Sequence, residues 1–244
     1  MDAMQAHFAA GATTASHFAP RPVNADLMTC VLQFNQVLAE GLHPSWLAAD
    51  EVFWRDHVHA FKQLESRLRV SSWLRDRFNL NDCYDDQFQD REKRVYLIPS
   101  QPFQQLTLCL GASFCVSALR KQLMRNQVMN LRDCLGEATV RQIFSSFHDG
   151  YDAGVDVLVP SDELHGDRLY ALGAQALLAA AQSHGEAVFK RTQLKLRREC
   201  AEVDEIWVQV RDMAVLKEHV MIIAMLFMPG WNSLFASTDE AMAA

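Results

Sequence analysis

From Val95 through Leu119 the chain carries no charged side chain. Inside that run, Leu106-Thr-Leu-Cys-Leu-Gly-Ala-Ser-Phe-Cys-Val-Ser-Ala-Leu119 is apolar or small on every side. A helix that is apolar all round is buried all round, and this one falls short of the roughly 20 residues that a bilayer requires. Gln101, Pro102, Gln104 and Gln105 also stand where a span would begin. The pattern therefore predicts a central core helix, with Leu106, Leu108, Leu110, Phe114 and Leu119 all buried in it. Pro102 suits its first turn, where a missing N–H costs nothing. Arg120, Lys121 and Arg125 suit its far end, where cations meet exposed carbonyls. Two amphipathic helices follow. One has Val128, Leu131 and Leu135 inward and stops at Gly136. The other has Val140, Ile143, Phe144 and Phe147 inward, leaving Arg132, Asp133, Glu137 and Arg141 to water.

Upstream, Asp26 is placed to cap a helix through Leu27, Val31, Phe34 and Leu38 that ends near Gly41. His43-Pro44-Ser45-Trp46 reads as a turn before another helix start. Phe53 and Trp54 open an aromatic-rich segment continued by Val58, Phe61, Leu64 and Leu68. Ser71-Ser72 reads as a break, with a short restart carrying Trp73 and Phe78. Asn79 to Arg94 lacks an apolar period and is expected to be a surface loop. Downstream, Asp149 to Gly154 reads as a turn and Asp156 to Pro160 as a short extended piece. Ser161-Asp-Glu163 reads as a helix start. A helix then runs through Leu169, Leu172 and Ala176 into Leu177-Leu-Ala-Ala-Ala181, whose small side chains invite close approach by another helix, and ends at His184-Gly185. Phe189 to Arg198 is ambiguous, because Thr192, Leu194 and Leu196 alternate like a strand while the composition favours helix. Val203 to Val220 is expected to be an amphipathic helix with Ile206, Val210, Met213 and Val220 inward. Met221 to Met228 follows as a buried terminal helix or an apolar partner contact, broken by Pro229-Gly230.

The predicted fold class is mostly α: a single compact multi-helix domain around a buried central helix, with one small β element allowed. Residues 1–25 are expected to form a flexible extension, 26–236 the domain, and 237–244 a frayed end. Met1 to Asp26 lacks the basic start of a signal peptide.

Charge narrows the partners. A net charge of −7 over 244 residues gives no support to nucleic-acid binding, which needs a basic face. Cys30, Cys83, Cys109, Cys115, Cys134 and Cys200 include no Cys-x-x-Cys pair, so buried or reduced thiols are expected. An acidic chain without export signal or span is expected in the cytoplasm.

Candidate chemistry is sparse. His57-x-His59 would point its rings to different sides of a helix, a poor start for zinc. The aspartates Asp82, Asp85, Asp86 and Asp90 lack the alternate-position ligands and turn glycine of a calcium loop. No phosphate-cradling glycine motif and no Gly-x-Ser-x-Gly elbow is present. The expectation is no catalytic residue, no cofactor and no metal. Two features suit protein partners instead. Lys190, Arg191, Lys195, Arg197 and Arg198 form the most basic decamer, read either as a solvated face or as a docking strip for an acidic partner. Trp231, Leu234 and Phe235 form an apolar hook of the residue types that anchor interfaces.

The order of Leu97-Ile-Pro-Ser-Gln-Pro, Leu106-Thr-Leu-Cys-Leu-Gly, Ala118-Leu-Arg and Val140-Arg-Gln-Ile resembles the SctK (YscK) family. Leu32-Gln-Phe34, His43-Pro-Ser-Trp46, Leu172 to Ala181, Phe189 to Leu196 and Met228 to Phe235 fall in the same order, from about Leu27 to Phe235. These are accessory proteins of the type III secretion sorting platform. The resemblance implies a non-enzymatic cytoplasmic adaptor between an SctD-type inner-membrane ring protein and the SctQ-type scaffold, reaching the stator and ATPase subunits indirectly. It would meet the membrane only through those partners. A secretion chaperone, or a helical enzyme of unknown chemistry, stays open beside it.

Overall fold

A computed structural model of the chain describes residues 27–46, 64–121, 125–148, 150–160, 164–202 and 205–235. The uncharged run forms helix α4 (Ser100–Phe114), entered from a 3-10 turn at Lys93–Leu97. Phe103, Leu106, Cys109, Leu110 and Ala112 are wholly buried. The run does not stay one helix. At Cys115 the backbone leaves helical geometry (φ −104, ψ 11), its N–H closing a tight turn on the Ala112 carbonyl, and α5 (Val116–Lys121) restarts beyond it. Leu119 is buried on α5, whereas Leu108 and Phe114 are only half-buried.

The partner of α4 is α8 (Gly166–Ser183), which makes with it the broadest helix–helix contact among the described residues. The helices cross at two glycines. A β-carbon on Gly111 would overlap the Leu169 carbonyl, and one on Gly173 would overlap the Thr107 carbonyl. Close approach therefore comes at Gly173, a turn before the alanine run; Ala174, Ala176, Ala180 and Ala181 of α8 are buried as well.

Helices α6 (Arg125–Leu135) and α7 (Glu137–Ser146) lean on α4 as their periodicity predicts, hinged at Gly136 with φ +80. Arg120 reaches the end of a neighbouring helix, donating to the Phe144 carbonyl and to the Phe147 carbonyl at 2.7 Å.

Val203–Val220 is not a continuous helix. Val208–Val210 is a strand, β2, paired antiparallel with β1 (Val155–Val157) in the register Val155↔Val210. Its alternating Val-Gln-Val fits a half-covered strand, and Ile206, expected inward, is 69 % exposed. The helix begins only at α11 (Met213–Phe227), where the Asp212 carboxylate accepts from Ala214 N (2.9 Å) and Val215 N (3.2 Å). α11 packs on both α4 and α8.

A smaller core joins Leu38, Leu42, Trp46, Val70, Leu74, Leu80 and Leu194. It lies among α2 (Leu38–Gly41), a 3-10 turn at Pro44–Trp46, and α3 (Leu64–Arg77), while α1 (Leu27–Gln36) places Cys30, Val31 and Phe34 in the larger core. The Asp26 cap and the segments around Phe53–Trp54 and His57–His59 fall outside the described residues. α3 runs through Ser71-Ser72 without a break. Ser71 is fully buried and its hydroxyl accepts from Ala39 N at 3.1 Å, satisfying one of the free N–H groups at the start of α2.

Asn79–Arg94 is only partly a surface loop, because Leu80, Phe88, Lys93 and Arg94 are buried. Phe88 packs edge-on against Phe34 at 5.3 Å. The Arg94 guanidinium donates to the carbonyls of Phe88 (2.8 Å) and Leu234 (3.0 Å). Among the described residues no single helix is long and apolar enough to cross a membrane. The bent pair formed by α11 and Pro229–Phe235 meets at 106° and buries Leu216, Val220, Ile223, Leu234 and Phe235 inside the protein.

Candidate functional site

The basic decamer is a helix, α9 (Glu186–Lys195), launched from Gly185 at φ +108, followed by a short turn of helix, α10 (Arg198–Ala201). Residues four apart share a helix face, which sends Arg191 and Lys195 inward together. Both are buried, so they leave the solvent-facing strip that the sequence pattern suggested. Lys195 Nζ donates to the carbonyls of Tyr96 (2.5 Å) and Ile98 (2.7 Å) and lies 5.4 Å from the rings of Phe34 and Phe103. Burial, and then the Arg191 charge, push its pKa down to about 7. Arg191 lies over the Phe34 ring at 5.3 Å.

The other three cations stay at the surface and are paired within the chain. Lys190 meets Glu186 at 2.7 Å, Arg197 meets Asp167 at 2.8 Å over the Tyr170 ring, and Arg198 meets Glu202 at 2.8 Å over Trp46. Exposed pairs of this type are worth about 0–1 kcal/mol, so a partner carboxylate can replace them at little cost. Lys190 and Arg198 line one cleft of 290 Å³ with Trp46, Arg77, Phe78 and Glu202. Arg197 faces α8 instead.

The hook is also divided. Leu234 and Phe235, on α12 (Asn232–Phe235), are buried in the chain's own core. Their carbonyls accept from Arg94 Nη1 (3.0 Å) and Arg91 Nε (2.6 Å). Trp231 is half-buried and is the part of the hook that reaches solvent.

One polar constellation was invisible in the sequence. His219 of α11 is buried between Ser113 Oγ (Nε2, 2.8 Å) and Tyr151 Oη (Nδ1, 3.1 Å). Ser113 Oγ also donates to the Leu110 carbonyl at 2.7 Å. The consistent assignment has Nε2–H donating to Ser113 and Tyr151 donating to Nδ1. The serine proton then points at a backbone carbonyl rather than at the imidazole, the reverse of nucleophile activation. Burial holds the His219 pKa down at about 4. The arrangement satisfies a buried histidine and lacks the geometry of a catalytic dyad.

The ligand atoms of Asp90, Glu92 and His184 lie within 4.8 Å of one another, close enough to hold a metal ion. Asp90 belongs to the aspartate-rich segment that lacks a calcium-loop pattern. The fold adds the ring nitrogen of His184, distant in sequence, and a mixed nitrogen–oxygen set suits a transition metal better than calcium. Lys217 Nζ competes there, 3.4 Å from Glu92 Oε2. Burial and then the Lys217 charge lower the His184 pKa.

A model of the family described as YOP proteins translocation protein K (YscK) matches residues 28–218. No curated protein matches the chain, and no solved structure does.

Proposed function

Because this chain belongs to the YscK family and is thereby a type III secretion protein, we propose that it acts as a non-enzymatic adaptor of the sorting platform. It would join an SctD-type ring protein at the cytoplasmic face of the inner membrane to the SctQ-type scaffold, and through the scaffold to the stator and ATPase subunits. The observation that carries this reading is the family match, which spans most of the helical core, from α1 into α11. The surface supports it with two docking candidates of different character. One is the cleft that holds Lys190 and Arg198 above Trp46 and Phe78; the other is Trp231 beside α12. Lys195, Leu234 and Phe235 serve the fold beneath these surfaces.

Capture of each partner by the full chain tests the reading. Lys190→Glu with Arg198→Glu should abolish capture of one partner, since like charges facing each other across an interface cost several kcal/mol. Trp231→Ala should weaken capture of the other by ten-fold or more, on the order of an anchor residue's share. Unchanged capture of both partners by both variants removes these surfaces from the interface. Failure of the native chain to capture either partner removes the adaptor role itself.

A further inference from the structure

Beside α9 lies a cleft of 430 Å³ walled by Asn35 and Gln36 of α1, Leu68 and Arg75 of α3, Leu80, Asn81 and Tyr84 of the following segment, and Arg191. Arg191 is 2 % exposed. Its Nη2 donates to the Cys83 carbonyl at 2.9 Å, but Nε and Nη1 have no acceptor among the described residues. The Cys83 carbonyl and the Phe34 ring offset only part of the desolvation cost of a guanidinium buried with two donors that lack acceptors. Arg75, on the same cleft, spends Nη1 on the Gln36 carbonyl at 3.1 Å. Burial, with the Arg75 charge adding to it, lowers the Arg191 pKa, and an anion between the two would relieve both.

The neighbouring acids are committed elsewhere. Asp85 pairs with Lys93 at 2.8 Å and Asp76 accepts from Asn81 at 2.5 Å. In a chain of net charge −7, the cleft presents two guanidinium groups and, among the described residues, no carboxylate on its wall. Its rim carries apolar surface beside the amides of Gln36 and Asn81, since Leu68 and Tyr84 are 41 % and 57 % exposed.

We propose that this cleft is a carboxylate-reading site that receives an acidic side chain, flanked by an apolar residue, from a protein partner. The inference rests on the adaptor reading for the partner's being a protein. Nη2 keeps a second proton next to either free donor, so the planar guanidinium offers a carboxylate a forked edge that an ammonium lacks, and Leu68 and Tyr84 offer contact to the aliphatic neighbour. The lysine cleft near Trp46 is a separate surface, so the two sites can be tested independently.

The full chain is titrated by NMR with acetyl-Leu-Glu-Leu-amide, with its Gln counterpart and with inorganic phosphate. The Glu peptide should shift the amide signals of Asn81 and Tyr84 and the Arg191 Nε–H signal saturably, and the Gln peptide should not. Arg191→Lys should weaken the Glu peptide about ten-fold or more. Arg75→Gln, at a half-buried position that leaves α3 intact, should do the same and guards against a folding defect at Arg191. Equal binding of both peptides, binding indifferent to Arg75→Gln, or the absence of any saturable shift overturns the proposal. Phosphate binding without peptide binding also overturns it, because the site would then take a free oxyanion. None of these measurements uses the ring protein or the scaffold, so they fail or succeed apart from the capture experiment.

Discussion

Lys195 is the buried cation whose replacement best separates folding from docking. Lys195→Glu would set a carboxylate against the Tyr96 and Ile98 carbonyls that Nζ now reaches, and should cost roughly 3–5 kcal/mol, the range for an uncompensated buried charge. Lys195→Met keeps the stem and removes the desolvated charge, and should cost less than about 2 kcal/mol. Urea denaturation of both variants measures the difference; equal losses would show that charge at this position is immaterial. The pH dependence has a definite sign. The folded Lys195 sheds its proton near 7, pushed there by burial, while the unfolded chain holds it to about 10.4. Between those values the unfolded state binds more protons, so this group makes stability rise with pH across that window, and Lys195→Met should flatten the rise. His219 acts on the acid side. Its folded pKa is held at about 4 by burial, against about 6.5 unfolded. Its contribution is full above 6.5 and is lost as pH falls toward 4. His219→Gln should reduce the drop in urea midpoint over that interval, and an unchanged drop would place the acid sensitivity elsewhere.

The crossing of α4 and α8 is the junction on which the other helices depend. Leu110→Ala on α4 should cost about 2–5 kcal/mol, the range for a fully buried leucine. Gly173→Ala adds only a methyl, but that methyl would overlap the Thr107 carbonyl, so the helices must part. Overpacking of this type costs about 1–3 kcal/mol or more. Gly111→Ala strains the same crossing from the other side. The two losses should therefore fall short of additive in the double variant, because helices already separated by one methyl have room for the second. Additive losses would mean that each glycine acts alone.

Taken together, the elements form a larger core around α4, α8 and α11 and a smaller one around Leu74 and Trp46, joined by α9, which contributes Val188 to the first and Leu194 to the second. The thiols report on this arrangement. None of the six cysteines forms a disulfide. Cys134 is exposed and Cys83 half-buried, while Cys109 and Cys115 are buried with their pKa pushed up to about 12. A thiol reagent at neutral pH should modify Cys134 and Cys83 first, and Cys30, Cys109, Cys115 and Cys200 only as the chain unfolds. Early modification of Cys109, assigned by mass spectrometry, would contradict the packing of α4.

Much of the helical order was legible in hydrophobic spacing, because period and turn chemistry are local. Val140, Ile143 and Phe147 announce α7, and Gly136 and Gly185 mark its start and that of α9. The uncharged run around Leu110 announces a buried helix, since no charge in it would need to reach water. What spacing could not supply was the neighbour. Val208–Val210 becomes a strand because Val155–Val157 lies beside it, and Ser71 continues α3 because Ala39 needs an acceptor. Lys195 and Arg191 looked like a wet strip because cations usually are. They lie inside because the carbonyls of Tyr96, Ile98 and Cys83, about a hundred positions away in sequence, meet them there. The cleft between Arg75 and Arg191, like the contact of His219 with Ser113 and Tyr151, joins residues whose distance in sequence carries no signal. Long-range packing brings them together, and burial then decides what each charge can do.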